Sequence, residues 1–415
     1  MIVFDVSRLI ACAARVTPSG IERVELAYAR RLIAGATPVR FARVTRWRRL
    51  VLLPHSAVAR YIEALAALWG DGSSLRRRAR VRRAALHLRL ARLSLRRALA
   101  GRSPASPDKP VYLLVSHHHL ERRHLIARLK KRHDLSFVCL VHDLIPIEYP
   151  EYARPGRDRQ HQRRIETVRE LADAVIVPSA ATGDALRSHI EPGGRRLRIV
   201  VAPFGVDRRA NGGGEPILPE RPYFVCLGTI EARKNHLLLL NLWRDLAARI
   251  GSQAPILVLI GRRGWEIENT IDMLDRCPAL RETVYERSTM PDVQAVQMVK
   301  NARALLLPAH AEGFGFPLIE ALASGTPVLC SDIPALHEIG GGVPEYLDPL
   351  DGSAWRAAIL DYAAEPSPRR DAQLQRLTVW QPPRWSDHFA AVDALVAELA
   401  AAPCQAQAPG SAKPD

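Results

Sequence analysis

Short, continuous apolar runs separated by longer stretches of helical spacing recur along all 415 residues, and that alternation limits the chain to very few architectures. Ile2–Ser7, Val111–Ser116, Phe137–Asp143, Val175–Ser179 and Ile199–Gly205 form one series; Tyr223–Thr229, Ile256–Gly261, Ala304–Ala309 and Pro327–Asp332 form a second. Runs mostly rich in Val, Ile and Leu, without polar alternate positions, are what strands covered on both faces look like. Joining them through helix-length segments calls for parallel sheets with helices packed on them. Between the series lies Val206–Pro222, with Asn211-Gly212-Gly213-Gly214 and three prolines, the composition of a linker. A chain of this length is also longer than one ordinary domain. The expected fold is α/β, with two Rossmann-like, doubly wound domains over 1–205 and 223–384 joined by a linker at 206–222. A C-terminal helix at 385–402 follows from the spacing of apolar residues after Trp385. The Ala, Pro, Gln and Ser of 403–415 are expected to lack structure.

Lysine and arginine number 59 against 43 acids, a net charge of +16 carried mainly by arginine. Such a balance points to a polyanion nearby: nucleic acid, an anionic membrane surface or a phosphate-bearing substrate. Leu75–Arg102 concentrates it, with eleven arginines, no acid, and Leu86, Leu90 and Leu93 at one-turn spacing. Two readings stand for this basic insertion at about 70–105. Its leucines pack on the N-terminal domain, or they and the arginines meet an anionic lipid surface. No apolar run approaches the roughly 20 residues that span a bilayer, and Met1-Ile2-Val3-Phe4-Asp5 has no secretory-signal pattern. A cytoplasmic location, peripheral at the inner membrane face, is therefore expected. The six cysteines (Cys12, Cys139, Cys226, Cys277, Cys330, Cys404) lack CxxC pairing and read as buried thiols.

Chemistry concentrates in Glu312-Gly313-Phe314-Gly315-Phe316-Pro317-Leu318-Ile319-Glu320-Ala321, after the run Ala304–Ala309. Here a loop turns into a helix, with Pro317 suited to the first turn. Gly313 and Gly315 allow close backbone approach. Free amides at the positive end of a helix favour an anion, and a diphosphate fits. Glu312 and Glu320 flank that place as acceptors for vicinal hydroxyls. A second motif, Leu227-Gly228-Thr229-Ile230-Glu231-Ala232-Arg233-Lys234-Asn235-His236, sits where a strand ends and a helix begins, the position at which open sheets bind ligands. Adjacent Arg and Lys can grip two phosphates and offset charge growing on a departing diphosphate.

From Glu312 to Glu338 the chain resembles the donor-binding signature of family 4 retaining glycosyltransferases (glycosyl transferases group 1), including Ala323-Ser324-Gly325-Thr326-Pro327-Val328. The resemblance implies the GT-B fold, two Rossmann-like domains facing across a cleft, and transfer of a hexose from a nucleotide-diphosphate sugar without a metal. It gives Glu312 the donor hexose, Glu320 the ribose, and Arg233 and Lys234 the leaving group. Gly313, Phe314 and Gly315 would line the donor. His142, after the run Phe137–Val141, takes the role of touching the transferred sugar, and Asp143 that of stabilising the turn. Glu338 either approaches the nucleotide or buttresses the site. Gly20, in Pro18-Ser19-Gly20-Ile21-Glu22-Arg23, would lie near the donor phosphates or the acceptor. Relatives with a Gly-Ile-Glu-Arg start and Val-His-Asp-Leu-Ile-Pro often act on cell-surface polysaccharides. That implies a saccharide or lipid-linked oligosaccharide acceptor, with mannose slightly favoured as the donor sugar.

His117, His118 and His119 do not read as a metal site, because consecutive residues of an extended strand cannot converge and no carboxylate pair accompanies them. A nucleic-acid-binding role fails on the lack of interleaved aromatics. An inactive relative would need damaged donor motifs, and both are intact. Another GT-B-like enzyme, an epimerase or phosphorylase, remains the alternative.

Overall fold

The computed structural model describes residues 1–47, 49–70, 74–91, 109–191, 196–206 and 218–401. Most of the expected linker, Leu93 and the rest of the basic insertion, Cys404 and the tail at 403–415 lie outside the described residues.

Two sheets form. The first contains β1 (Ile2–Asp5), β2 (Val39–Val44), β3 (Leu50–Leu53), β4 (Val111–Leu114), β5 (Ser136–Leu140), β6 (Ala174–Val177) and β7 (Arg198–Val201) in the order β3-β2-β1-β4-β5-β6-β7. The second orders β8 (Tyr223–Leu227), β9 (Ile256–Ile260), β10 (Val284–Arg287), β11 (Ala304–Leu307), β12 (Val328–Ser331) and β13 (Glu345–Leu347) as β10-β9-β8-β11-β12-β13. All pairings are parallel except β2 with β3. Strand order reverses between β1 and β4 in one sheet and between β8 and β11 in the other, so each domain has a crevice at that switch point.

Eight helices accompany the first sheet among the described residues: α1 (Ser7–Ala11), α2 (Gly20–Ala34), α3 (His55–Gly70), α4 (Leu75–Leu90), α5 (Arg123–His133), α6 (Ile145–Glu148), α7 (Arg157–Leu171) and α8 (Ala180–Ile190). Alternate strand residues face opposite ways, so Ile2 and Phe4 pack with α2, α3 and α4, whereas Val3 shares the other face with α5, α7 and α8. The second part of the chain contributes α9 (His236–Ile250), α10 (Glu268–Arg276), α11 (Asp292–Lys300), α12 (Phe316–Ala323), α13 (Pro334–Gly340), α14 (Gly352–Ala363), α15 (Pro368–Leu377) and α16 (Trp385–Ala401).

α16 returns to the first domain. Phe389, Val392, Leu395 and Val396 join its core. His388 is held between the Tyr28 hydroxyl (2.7 Å) and the Ala202 carbonyl (2.9 Å). The two chain crossings touch each other: Val206 donates to the Pro383 carbonyl, and a Cβ on Gly205 would overlap the backbone of Trp385.

Four strands, β2, β3, β10 and β13, lie outside the runs read from sequence. Each is at or next to a sheet edge; β2, β10 and β13 carry polar residues among their apolar ones, as in Val39-Arg40-Phe41-Ala42-Arg43-Val44, and β3 is a four-residue antiparallel edge strand, Leu50-Val51-Leu52-Leu53. Of the two readings of the basic insertion, packing through Leu86 and Leu90 needs correction. Val81, Ala85 and Leu88, spaced by three and four, pack α4 onto α3, while Leu75, Leu86 and Leu90 stand 84%, 52% and 67% exposed. Cys139, Cys226 and Cys330 are buried free thiols within β5, β8 and β12, and Cys12 is also buried.

Candidate active site

The loops after β8 and β11 flank the switch point of the second sheet, which brings together residues almost 80 positions apart in sequence. Lys234 donates to Glu312 Oε1, and Arg233 reaches Glu312 Oε2 at 3.1 Å and Glu231 Oε1 at 2.7 Å. Arg233 also donates to the Ala311 carbonyl at 2.5 Å, tying one loop to the other. The Glu312 side chain is only 8% exposed. Burial pushes its carboxyl up, but the charges of Arg233 and Lys234 outweigh that and hold it below its ordinary value. Burial works against the Arg233 charge too, and Glu312 and Glu231 overcome it, raising its pKa further. Two cations and two carboxylates thus form one compact network at the carboxyl end of the sheet. Its geometry is built to hold positive charge in a low-dielectric place.

Local backbone explains the glycines. Gly315 takes a left-handed φ of +90° immediately before α12, and a Cβ there would fall 2.5 Å from Leu336. On Gly313 a Cβ would fall 2.5 Å from the His142 carbonyl oxygen, so this glycine is required by the approach of the first domain. The Gly313 carbonyl accepts from the Ser179 hydroxyl at 3.0 Å and the Thr182 hydroxyl at 3.1 Å, both at the start of α8. The Phe314 ring is buried against Phe204 and Phe316.

From the first domain, His142 follows β5 and its Nε2 meets the Val115 carbonyl at 2.8 Å. Burial lowers its pKa to about 4, so the ring is neutral at pH 7. A neutral ring donating from Nε2 carries no proton on Nδ1. Asp143 accepts from the Ile145 amide at 3.2 Å, the turn role expected of it. His117 packs on His142 and His161 rather than converging with His118 and His119. Among the described residues no three His, Cys, Asp or Glu side chains are arranged to hold a metal ion.

Gly20 opens α2 against the Phe316 ring, placing it beside the start of α12. Glu338, on α13, accepts from the Ala180 and Ala181 amides at 2.6 and 3.2 Å, so a carboxylate of one domain caps a helix of the other. That is buttressing across the cleft. Three contributors escaped the sequence reading. Arg23 spans the cleft to Glu320 at 2.7 Å and to Asp292 at 3.3 Å. Ser179 and Thr182 were visible only as a cap signal after a strand, and nothing local says what a cap will touch.

Two family profiles match this chain: residues 208–341 fit Glycosyl transferases group 1, and residues 115–190 fit the Glucosyltransferase 3-like N-terminal domain. Over these two stretches the chain resembles glycosyltransferases, and its two-sheet architecture is the GT-B fold. Among solved structures, sucrose-phosphate synthase from Thermosynechococcus elongatus has the same fold as this chain, with a TM-score of 0.60 and 17% identity over 96% of this chain and 98% of that one. Serotype-specific mannosyltransferase WbdA of Escherichia coli is 28% identical over 221 residues, 49% of this chain and 27% of the relative. O-antigen chain mannosyltransferase B of Escherichia coli is 28% identical over 249 residues, 58% and 64% of the two chains. The matched stretch spans about a quarter of the length of the WbdA protein.

Proposed function

We propose that this GT-B glycosyltransferase moves a hexose, with mannose favoured, from a nucleotide-diphosphate sugar to a saccharide or lipid-linked oligosaccharide in surface-polysaccharide synthesis, with retention at the anomeric carbon and without a metal. The observation that carries the reading is the convergence of Arg233, Lys234 and Glu312 at the switch point, between two loops that strand order alone brings together. Likeness to O-antigen mannosyltransferases supports the sugar and the pathway class, whereas the N-terminal profile carries a glucosyltransferase name, so hexose is the firmer statement.

In the proposed reaction the bond between the anomeric carbon and the diphosphate oxygen loosens first. Arg233, Lys234 and the amides at the start of α12 receive the charge that accumulates on the departing diphosphate. An acceptor hydroxyl then bonds to the same face of the anomeric carbon and its proton passes to a diphosphate oxygen, so no enzymic nucleophile is consumed. Glu312 meets the hexose hydroxyls while holding the two cations in place, and Glu320 meets the ribose. With the Phe314 ring buried, the donor contact expected of that residue falls to its backbone. Gly20 and the neutral His142 ring bring the first domain to the reacting end.

The exposed Leu75, Leu86 and Leu90 fall within about 60° of one another around α4, and Arg76, Arg82 and Arg83 flank them. An anionic leaflet matches that face in both charge and apolarity. Sedimentation with phosphatidylglycerol vesicles should capture the wild type and not L86E/L90E; equal capture removes the membrane from the proposal. No described helix is long and apolar enough to cross a membrane. The donor reading is tested by thermal shift with GDP-, UDP- and dTDP-sugars against wild type and Glu320→Ala. Stabilisation by one base, weakened in the variant, names the donor. No shift with any of them overturns the transferase reading.

A further inference from the structure

Away from the donor network, a cavity of about 760 Å³ opens on the first domain between α5, α7 and the turn that follows β2. Arg122, Arg123, Arg128 and Arg163 line it, and the indole of Trp47 forms one wall. Two acids, Glu121 and Glu166, also border the space; Glu121 meets Arg164 at 3.4 Å and Arg122 at 3.9 Å, and Arg123 pairs with Glu170 at 2.6 Å, so four lining arginines stand against two lining acids. The local balance is therefore positive. Trp47 is 65% exposed, with the Arg46 guanidinium over its ring at 5.3 Å and much of the indole open to water beside the cationic wall.

The position is also informative. Trp47 lies beyond the carboxyl end of β2, and Arg122 and Arg123 lie beyond that of β4; these two strands flank β1 at the reversal of strand order. A chain of contacts runs from the cavity toward the reacting end: Glu121 to Arg164, Arg164 to the His161 ring at 3.5 Å, and His161 to the Asp143 carbonyl at 3.0 Å, next to His142.

We infer that this cavity binds a negatively charged saccharide, with Trp47 against the apolar face of a sugar ring and the arginines on a phosphate or carboxylate. Guanidinium forks match both anions, and a cavity of this size holds more than one sugar ring, within the span of small-ligand sites. As a holding site for a charged acceptor glycan it rests on the transferase reading above.

The test is a tryptophan-fluorescence titration of the full chain with glucose 1-phosphate, galacturonate, methyl α-glucoside and inorganic phosphate, using wild type, Trp47→Phe and R122A/R163A. Either charged sugar should bind wild type, with affinity falling about tenfold or more in the arginine pair and the quench lost in Trp47→Phe. Which of the two binds tells phosphate from carboxylate. Unchanged affinity in R122A/R163A overturns the inference, as does inorganic phosphate binding as tightly as either sugar, or a DNA oligonucleotide or anionic vesicle binding more tightly through the same arginines. Thermal shift with nucleotide sugars, run on the same variants, keeps the two readings apart. Retained donor stabilisation with no charged-sugar binding sinks only this inference.

Discussion

The crevices of the two domains are built on the same strand reversal, yet they manage polarity in opposite ways. Behind the second sheet's crevice, charge is kept and compensated: Arg233 and Lys234 are locked to Glu312 and Glu231. Behind the first sheet's crevice, apart from Glu22 held charged between Arg8 and Arg15, charge is suppressed. His117, His118, His119, His142 and His161 are all pushed below their ordinary pKa, chiefly by burial, which for His142 and His161 outweighs the opposing charge of Asp143. Asp5 and Glu25 are pushed upward, again chiefly by burial. Under the proposed function, a face that offsets a diphosphate needs fixed cations, whereas a face that receives a sugar hydroxyl is served by neutral donors and acceptors.

Lys234→Ala attacks the charged side and carries the largest expected effect, a loss of turnover of about 10²-fold or more, on the scale of removing one oxyanion donor. Initial rates with the donor named by thermal shift would check it, and unchanged turnover would take Lys234 out of the mechanism. Glu312→Gln should destabilise the fold by about 3 kcal/mol, since it strips a nearly buried carboxylate from two cations; denaturant titration reads this directly.

Acid sharpens the contrast. A histidine with a depressed folded pKa contributes stability that is present above its ordinary value near 6.5 and lost as pH falls toward about 4, where His118, His119 and His142 titrate. Glu312, also depressed, gives way only below its ordinary value of 4.5. The first domain is thus expected to loosen earlier on acidification, seen as hydrogen-exchange protection lost from β4 and β5 before β8 and β11. Simultaneous loss would erase the distinction.

Glu25 runs the other way. Its raised pKa means the folded state keeps a proton that the unfolded chain releases, so stability is full below the ordinary value and declines as pH rises through the folded one. Asp5 adds to that rise, while Arg8, the Leu9 amide and Ser116 oppose it. Glu25→Gln should leave stability near neutral pH within about 1 kcal/mol of wild type and flatten the decline that sets in as pH rises past the ordinary value of 4.5. The smallest effect expected is none: a chelator should leave transfer unchanged if Arg233 and Lys234 do the work of a divalent ion, and restoration by added Mg²⁺ or Mn²⁺ would defeat the metal-free proposal.

Much of this was legible in the chain itself. Continuous apolar runs identified the central strands of both sheets, and the edge strand β7, because Val, Ile and Leu follow one another there; β2, β10 and β13 were missed because polar residues interrupt them, and β3, a four-residue antiparallel edge strand, was missed along with its partner β2. Glu312, Arg233 and Lys234 stood out because their loops carry unusual residues at strand ends. Arg23 did not, since an arginine one turn into a helix looks like any solvated charge until a second domain supplies Glu320 and Asp292. The leucines of α4 misled for a related reason: periodicity shows that a helix has faces, and the packed face turned out to be Val81, Ala85 and Leu88.

The return of α16 to the first domain makes that domain discontinuous, assembled from residues before Val206 together with the final helix, while the second domain is an uninterrupted insert. Cutting the chain ahead of Trp385 would therefore injure the domain farther away in sequence, stripping Phe389, Val392, Leu395 and Val396 from its core. Two antiparallel passes of backbone, in contact at Gly205 and Trp385, join the halves. A joint made of two adjacent strands of chain restricts twisting and favours swinging about one axis, like a door hung on paired pins.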